Sequence, residues 1–362
     1  MQKIPLVDVK AQFAPLIPEL EARFREVLAG GQFIRGPHYW AFQEEAAAKL
    51  GVAKTVGVGN GTDAIVIALD AMEIGPGDEV ICPAFTFYAT AESIARRGAT
   101  PVFADIDPVT LNLDVDDVTA KITPRTRALM PVHLFGRPAP TEELLKLGLP
   151  VIEDAAQAFG APGVATLGTV STFSFFPTKN LFCLGDGGLV ATNDEVLAER
   201  VQMLAFHGSR DKTGFDFVGY NSRLDELQAS FLRLFLTRVD DWNRGRREAA
   251  ARYAELGLGE FVELPQDEPA HIYHLFVCRS PERDRIRAAL TEAGIASATY
   301  YTTPLHLQRA LRFLGYEPGS LPETEQVAEE NFSVPLWPGI PAEAQERVVD
   351  AVRSAVGAVA PA

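Results

Sequence analysis

Cysteine is scarce in this 362-residue chain: Cys82, Cys183 and Cys278 are the only ones, odd in number and without a C-x-x-C pair. That argues against a disulfide framework or a zinc site, and the three thiols are read as reduced, with Cys82 and Cys278 packed in apolar runs. Long hydrophobic runs are absent too. No stretch approaches the roughly eighteen apolar residues of a membrane span, and the start, MQKIPLVDVKAQF, lacks the apolar segment of a secretory signal. A cytoplasmic protein with no membrane partner is the resulting expectation. Positive charge is in deficit: 33 Lys and Arg against 48 Asp and Glu give a net charge of -15, a field that repels phosphates and so argues against nucleic acid. No basic patch opposes it, since Arg244, Arg246 and Arg247 lie in a helical pattern with Asp240, Asp241 and Glu248. Repeats and low-complexity tracts are missing, and the early glycines lack the G-x-G-x-x-G spacing of a dinucleotide fold.

What is present is an alternation of short apolar runs with amphipathic segments. TVGVGN (55–60), EVICPA (79–84), ATPVFADI (99–106), RALMPVHLF (127–135) and PVIEDAA (150–156) read as strands, with helices such as GTDAIVIALDAM, DVDDVTAKI and TEELLKL between them. Near-continuous apolar strands with crossover helices predict an α/β fold around a mostly parallel sheet. From about residue 221 a long helical stretch follows, SRLDELQASFLRLFLTRVDDWNRGRREAAARYAEL, and it reads as a bridge between domains. Beyond it, strand-like IYHLFVCRS and ASATYYT and helix-like RDRIRAALTEAG and EAQERVVDAVRSAV predict a smaller α+β unit. The expected division is 1–245, with an N-terminal helical segment and the linking helix, and 246–362.

Several segments of the first domain carry candidate chemistry. In GNGTDA (59–64), Gly61, Thr62 and Asp63 fall at a helix N-terminus, whose free N–H groups attract phosphate; helix capping by Thr62 and Asp63 is the competing reading. In VIEDAAQA (151–158), Asp154 ends a buried strand, where a carboxylate is costly unless it is paired; capping of the next segment is the alternative. In FSFFPTKN (173–180), Lys179 follows an apolar run. A dry lysine loses pKa and becomes a nucleophile toward carbonyls, whereas an ordinary loop lysine is solvated. Ser174 adds a hydroxyl for a phosphate, and GDGG (185–188) keeps the next turn free of bulky side chains. A phosphate cradle, a buried acid and such a lysine are together the parts of a pyridoxal phosphate site. Phe85 and Phe87 in PAFTFYAT are both available to stack on the ring or to fill the core. His271 and His274, three apart on a strand, fall on opposite faces and suit packing or substrate contact better than metal.

These segments, from IPLVDVKAQF through GNGTDA, GPGDEVICPAFTFYAT, VIEDAAQAFGA, FSFFPTKNL and GDGG to NSRLDELQA, resemble the DegT/DnrJ/EryC1/StrS group of pyridoxal phosphate-dependent sugar aminotransferases. The resemblance implies the aspartate aminotransferase-like fold type I and a homodimer with shared active sites. It makes Lys179 the residue that carries the cofactor as an imine, Asp154 the partner of the pyridine nitrogen, and Gln157 a donor to the ring hydroxyl oxygen. Gly61, Thr62 and Ser174 are implied at the phosphate, Phe87 at the ring face, and Asn221 at the phosphate of the neighbouring subunit. It further implies L-glutamate as amino donor and a nucleotide-linked keto sugar as acceptor. The FFPTKNL and GDGG wording favours amination at C3; 4-keto sugar amination, and a non-catalytic regulator that binds cofactor or sugar nucleotide, are the alternatives. Related dehydratases replace the lysine by histidine, so Lys179 counts against that activity. One departure concerns the sugar pocket: Tyr300 stands where many relatives have a histidine, in Tyr300-Tyr301-Thr302-Thr303-Pro304-Leu305-His306, leaving Tyr300 and His306 as candidate substrate contacts.

Overall fold

Strands apolar along their whole length must be covered on both faces, and that requirement organises the larger part of the molecule. The computed structural model describes residues 3–357. Strands β1 (Lys54–Val58), β5 (Ile152–Asp154), β6 (Val170–Ser174) and β7 (Gly188–Thr192) lie in the order β1-β7-β6-β5; β2 (Glu79–Pro83), β3 (Thr100–Ala104) and β4 (Thr126–Leu129) lie in the order β3-β2-β4. Parallel bridges Leu129↔Val151 and Val132↔Asp154 connect the two groups into a continuous sheet. The sheet is mostly parallel, as the sequence predicts; only β7 runs antiparallel to its neighbours β6 and β1. Along β7 successive side chains alternate between two cores. Leu189 and Ala191 join Tyr39, Phe42, Phe173 and Phe175, while Val190 joins Ile65, Ile67, Val80 and Cys82.

The smaller unit packs around the antiparallel pair β8 (Phe276–Arg279) and β9 (Asn331–Val334). Its core contains Tyr253, Ile286, Leu290, Phe332 and Val348, and also Ile4 from the chain's start. The Ile4 N–H donates to the Gly294 carbonyl at 3.0 Å and its own carbonyl accepts from Ala296 at 2.9 Å. Residue 245 falls inside the helix Val239–Glu255, whose Ala249, Ala250 and Tyr253 belong to this same core.

Three sequence expectations change. The linking helix is two helices, Glu226–Leu236 and Val239–Glu255, parted at Thr237 and Arg238. Thr237 Oγ1 donates to the Leu234 carbonyl at 2.7 Å, and the Thr237 and Arg238 N–H groups make tight i to i-3 bonds in place of helical ones. ASATYYT is no strand beyond the single bridge Ala298↔Ser333. There the Asn331 side chain replaces a ladder, accepting from the Tyr300 N–H at 2.9 Å and donating to the Tyr301 carbonyl at 3.3 Å. In IYHLFVCRS only Phe276–Arg279 is strand. The N–H groups of Ile272 and His274 go instead to the carbonyls of Gly136 and Phe135, at 2.9 and 2.7 Å, and Tyr273 takes φ +49°. The opposite-face argument for His271 and His274 therefore lapses: both are buried, His271 against the Tyr273 ring at 3.8 Å.

Candidate active site

The carboxyl ends of β5 and β6 and the helix that follows β1 bring the candidate residues together, as parallel sheets do. Asn60 caps the helix Gly61–Ala71 by accepting from the Asp63 N–H at 2.8 Å; neither Thr62 nor Asp63 is the cap. Asp63 instead accepts from Ser222 Oγ at 2.6 Å, and that hydroxyl also takes the Gly59 N–H at 2.9 Å. The N–H groups of Gly61 and Thr62, in the first helical turn, have no intrahelical acceptor. Gly61 lies so close to β6 that a Cβ there would stand 2.7 Å from Ser174 Cβ. Likewise a Cβ on Gly188 would collide with the Asn60 carbonyl. Glycine at both positions lets the helix start, the Ser174 hydroxyl and the start of β7 converge. Ser174 Oγ accepts from the Phe176 N–H at 3.3 Å, leaving its proton to donate elsewhere.

Asp154, at the end of β5, is 5% exposed. Its Oδ2 accepts from Thr90 Oγ1 at 2.8 Å and its Oδ1 from the Ala156 N–H at 3.2 Å. Burial raises its pKa, and the Thr90 and Ala156 hydrogen bonds and the charge of Lys179 oppose that rise. Burial likewise pushes the Lys179 amine down to about 8, with Asp154 pulling it back up. Of the apolar run before the lysine, Phe173 and Phe175 are wholly buried in the core, Phe176 is 52% exposed, and Lys179 is half-buried. Gln157 Oε1 is held by the Phe135 N–H at 2.7 Å, which orients its amide so that Nε2 donates to Tyr301 Oη at 3.3 Å.

The two phenylalanines separate cleanly. Phe85 is fully buried, edge-on to Phe135 and Tyr301; Phe87 is 58% exposed, its ring 6.4 Å from that of Tyr301. Phe87 is thus the one with a free face. In the departing loop, Tyr301 reaches the Gln157 and Phe87 side of the site, whereas half-buried Tyr300 is held through its backbone by Asn331. His306, the other candidate substrate contact, is 1% exposed, with Nε2 3.0 Å from Glu325 Oε1. Asn221 is exposed and its backbone bridges to Phe206. Sequence reasoning did not single out Thr90, Ser222 or Tyr301, since each gains its place only through contacts more than 60 residues away. His274, which the sequence left to packing or substrate contact, is buried, and burial and the charges of Lys179 and Arg246 push its pKa well down.

The donor set fits pyridoxal phosphate: a dry lysine, a carboxylate with open lone pairs, an oriented amide donor, and a cradle that a Cβ would fill. Comparison with known proteins agrees. The model of the DegT/DnrJ/EryC1/StrS aminotransferase family matches residues 16–353. The chain is 46% identical to a pleiotropic regulatory protein of Geobacillus stearothermophilus, over 96% of this chain and 97% of that one. It is 44% identical, over 97% of each chain, to a UDP-N-acetyl-3-dehydro-alpha-D-glucosamine 3-aminotransferase of Acidithiobacillus ferrooxidans. Its structure matches DesV of S. venezuelae, solved in complex with a ketimine intermediate, with a TM-score of 0.96 and 41% identity over 99% of this chain and 100% of that one. The fold is that of fold type I enzymes. On this sequence, fold and donor set, the chain belongs to the DegT/DnrJ/EryC1/StrS aminotransferase family and is a pyridoxal phosphate-dependent sugar aminotransferase.

Proposed function

We propose that the protein transfers an amino group from L-glutamate to C3 of a keto sugar carried on a nucleoside diphosphate. The observation that carries transamination is the match to the aminotransferase family over residues 16–353, with Lys179 placed within electrostatic reach of Asp154 at the strand end. The choice of C3 is supported by the FFPTKNL and GDGG wording and by the 3-aminotransferase among the relatives. When bound, the cofactor supplies an electron sink for the carbanion formed at the reacting carbon. Lys179 Nζ holds the cofactor and, once released from it, takes up and returns the substrate proton; a pKa of about 8 leaves a usable fraction as free amine near neutrality. Asp154, fixed by Thr90 and Ala156, accepts from the pyridine N–H. Gln157 Nε2 would donate to the ring oxygen, the Gly61 and Thr62 N–H groups with the Ser174 hydroxyl would take the phosphate, and Phe87, with Tyr301 beside it, would cover the ring.

A homodimer completes this reading. Phe24, Leu28, Phe33, Ile34 and Trp40 are more than 40% exposed within residues 24–40, an apolar surface suited to a second copy. Exposed Asn221 would then reach the phosphate bound by the other subunit. A cytoplasmic location suits a nucleotide-sugar substrate, and no helix among the described residues is long and apolar enough to cross a membrane.

The test is incubation with [15N]glutamate and enzymatically generated 3-keto and 4-keto nucleotide sugars, followed by NMR of the product. Label at C3 supports the reading and label at C4 replaces it. The regulatory name of the Geobacillus relative favours one second reading, a non-catalytic binder; binding without label transfer to any keto sugar would establish it.

A further inference from the structure

In a chain with a net charge of -15, cations left without an acid stand out, and two of them share one aromatic ring. The Arg35 guanidinium carbon lies 4.1 Å from the centroid of the Phe206 ring and 4.8 Å from that of Trp40; Lys212 Nζ lies 4.8 Å from the same Phe206 ring. Like charges brought together in this way repel unless an anion joins them. Among the described residues neither cation forms an ion pair. The acids nearby are turned elsewhere. Asp211 accepts from the Thr213 N–H and Oγ1 at 2.8 and 2.6 Å, and Asp225 caps the helix Glu226–Leu236 through the Gln228 N–H at 2.7 Å. Glu226 takes the N–H groups of His38 and Tyr39, at 2.6 and 2.9 Å.

The backbone around the ring is strained. Arg35, His207 and Lys212 take left-handed φ of +53°, +64° and +67°, a region unfavourable to residues other than glycine. The Arg35 carbonyl is fixed by Gln32 Nε2 and Trp40 Nε1, each at 3.1 Å. Arg35 Nε is buried and unpaired, so the Nη groups of this half-buried side chain are its free donors. Two rings fix the guanidinium and leave those donors for an anion such as phosphate. Phe206 pairs through its backbone with Asn221, the residue read above as reaching the other subunit's phosphate. Phe33, Ile34 and Trp40, around Arg35 in sequence, belong to the apolar surface suited to a second copy. We propose that Arg35 and Lys212 bind the diphosphate of the nucleotide-linked sugar held in the other subunit's site, each subunit clamping its neighbour's substrate. The cofactor phosphate already has Gly61, Thr62 and Ser174, and the two charged groups of a diphosphate match two cations on one ring. The inference rests on the nucleotide-sugar and shared-site readings above, and the test separates it from them.

The holoenzyme is titrated with UDP and with dTDP by calorimetry. Arg35→Gln and Lys212→Gln each weaken the better-bound diphosphate by about tenfold, as loss of one charged contact does. KM for the keto nucleotide sugar rises in step, while KM for glutamate and cofactor affinity by equilibrium dialysis stay as they were. Lys212 is exposed, so Lys212→Gln decides alone should Arg35→Gln not fold. Sharing is read from a mixed dimer of a Lys179→Met subunit with an Arg35→Gln or Lys212→Gln subunit, purified through two tags. Its one site with Lys179 draws the intact cations from the other chain, and the wild-type KM returns. A KM in the mixed dimer as high as in the single variant overturns the proposal. Unchanged diphosphate affinity in the variants also overturns it, as does a change confined to glutamate or to the cofactor. Failure of the wild-type holoenzyme to bind either diphosphate removes the nucleotide-sugar reading itself, and the proposal with it.

Discussion

The two ends of the proposed site are built differently. At the phosphate end, Gly61, Ser174 and Gly188 meet at element boundaries, and the cradle is made of backbone N–H groups and space left free of side chains. At the sugar end, Tyr300 to His306 is a loop held by remote side chains: Asn331 on the Tyr300 and Tyr301 backbone, Glu325 on His306, Gln157 on Tyr301. A cradle of backbone is local and leaves a motif in the sequence. A loop fastened by distant side chains leaves none, so the same chain announces its cofactor plainly and its sugar faintly.

The largest expected effect is at the lysine that both ends serve. Lys179→Met abolishes borohydride-trapped cofactor, read by mass spectrometry, and lowers turnover by about a thousandfold or more, as loss of a positioned proton carrier does. It also stabilises the apoprotein. A lysine depressed from 10.5 to about 8 by burial destabilises the fold fully below pH 8, and this cost fades as pH rises from 8 toward 10.5. The variant's advantage in denaturant, roughly 1–3 kcal/mol at pH 7, should therefore vanish above about pH 10.5. An advantage independent of pH would mean that the amine is not desolvated.

Next comes the cradle. In Gly61→Ala the added methyl must displace Ser174, and cofactor affinity, measured by equilibrium dialysis, falls by about tenfold to a hundredfold, equivalent to 1–3 kcal/mol of misfit. Unchanged affinity would remove the phosphate from this end and with it the contrast between the two ends.

The smallest effects sharpen the sugar end. Tyr301→Phe removes the hydroxyl from Gln157 and lowers kcat/KM for the keto sugar by about twofold to tenfold, in line with one hydrogen bond, at unchanged melting temperature. His306→Gln does the reverse, lowering stability by about 1 kcal/mol with kcat/KM nearly unchanged, because its partner is Glu325. If His306→Gln instead weakened sugar binding at constant stability, His306 would return as a substrate contact.

Much of the framework was legible in the chain itself. Each of the five strand segments named before residue 160 contains or overlaps a strand of the sheet, because a strand covered on both faces has to be apolar throughout; RALMPVHLF is strand only to Leu129, and β6 and β7 were not among the strands read. Lys179, Asp154, Gly61 and Ser174 were recognisable because each sits where a strand meets a loop or helix, and such junctions carry their chemistry over short spans. Three readings failed where long-range hydrogen bonds overrode local pattern. IYHLFVCRS looks β-like throughout, yet its first residues bond to Phe135 and Gly136; ASATYYT yields its ladder to Asn331; Thr237 turns its hydroxyl onto the preceding helix.

The sequence by itself determined five of the seven strands of the sheet, the lysine after an apolar run, the acid at a strand end and the glycine at the helix start, because periodicity and residue type act over a few neighbours. Only the tertiary structure decided that Phe87 and not Phe85 keeps an open face, that the Tyr301 hydroxyl meets Gln157, and that His306 is buried against Glu325. It alone revealed Glu153 fully buried directly before Asp154, with His133 Nε2 3.4 Å from its carboxylate. Burial and pairing of a polar group depend on what the rest of the chain packs against it, and no local pattern encodes that.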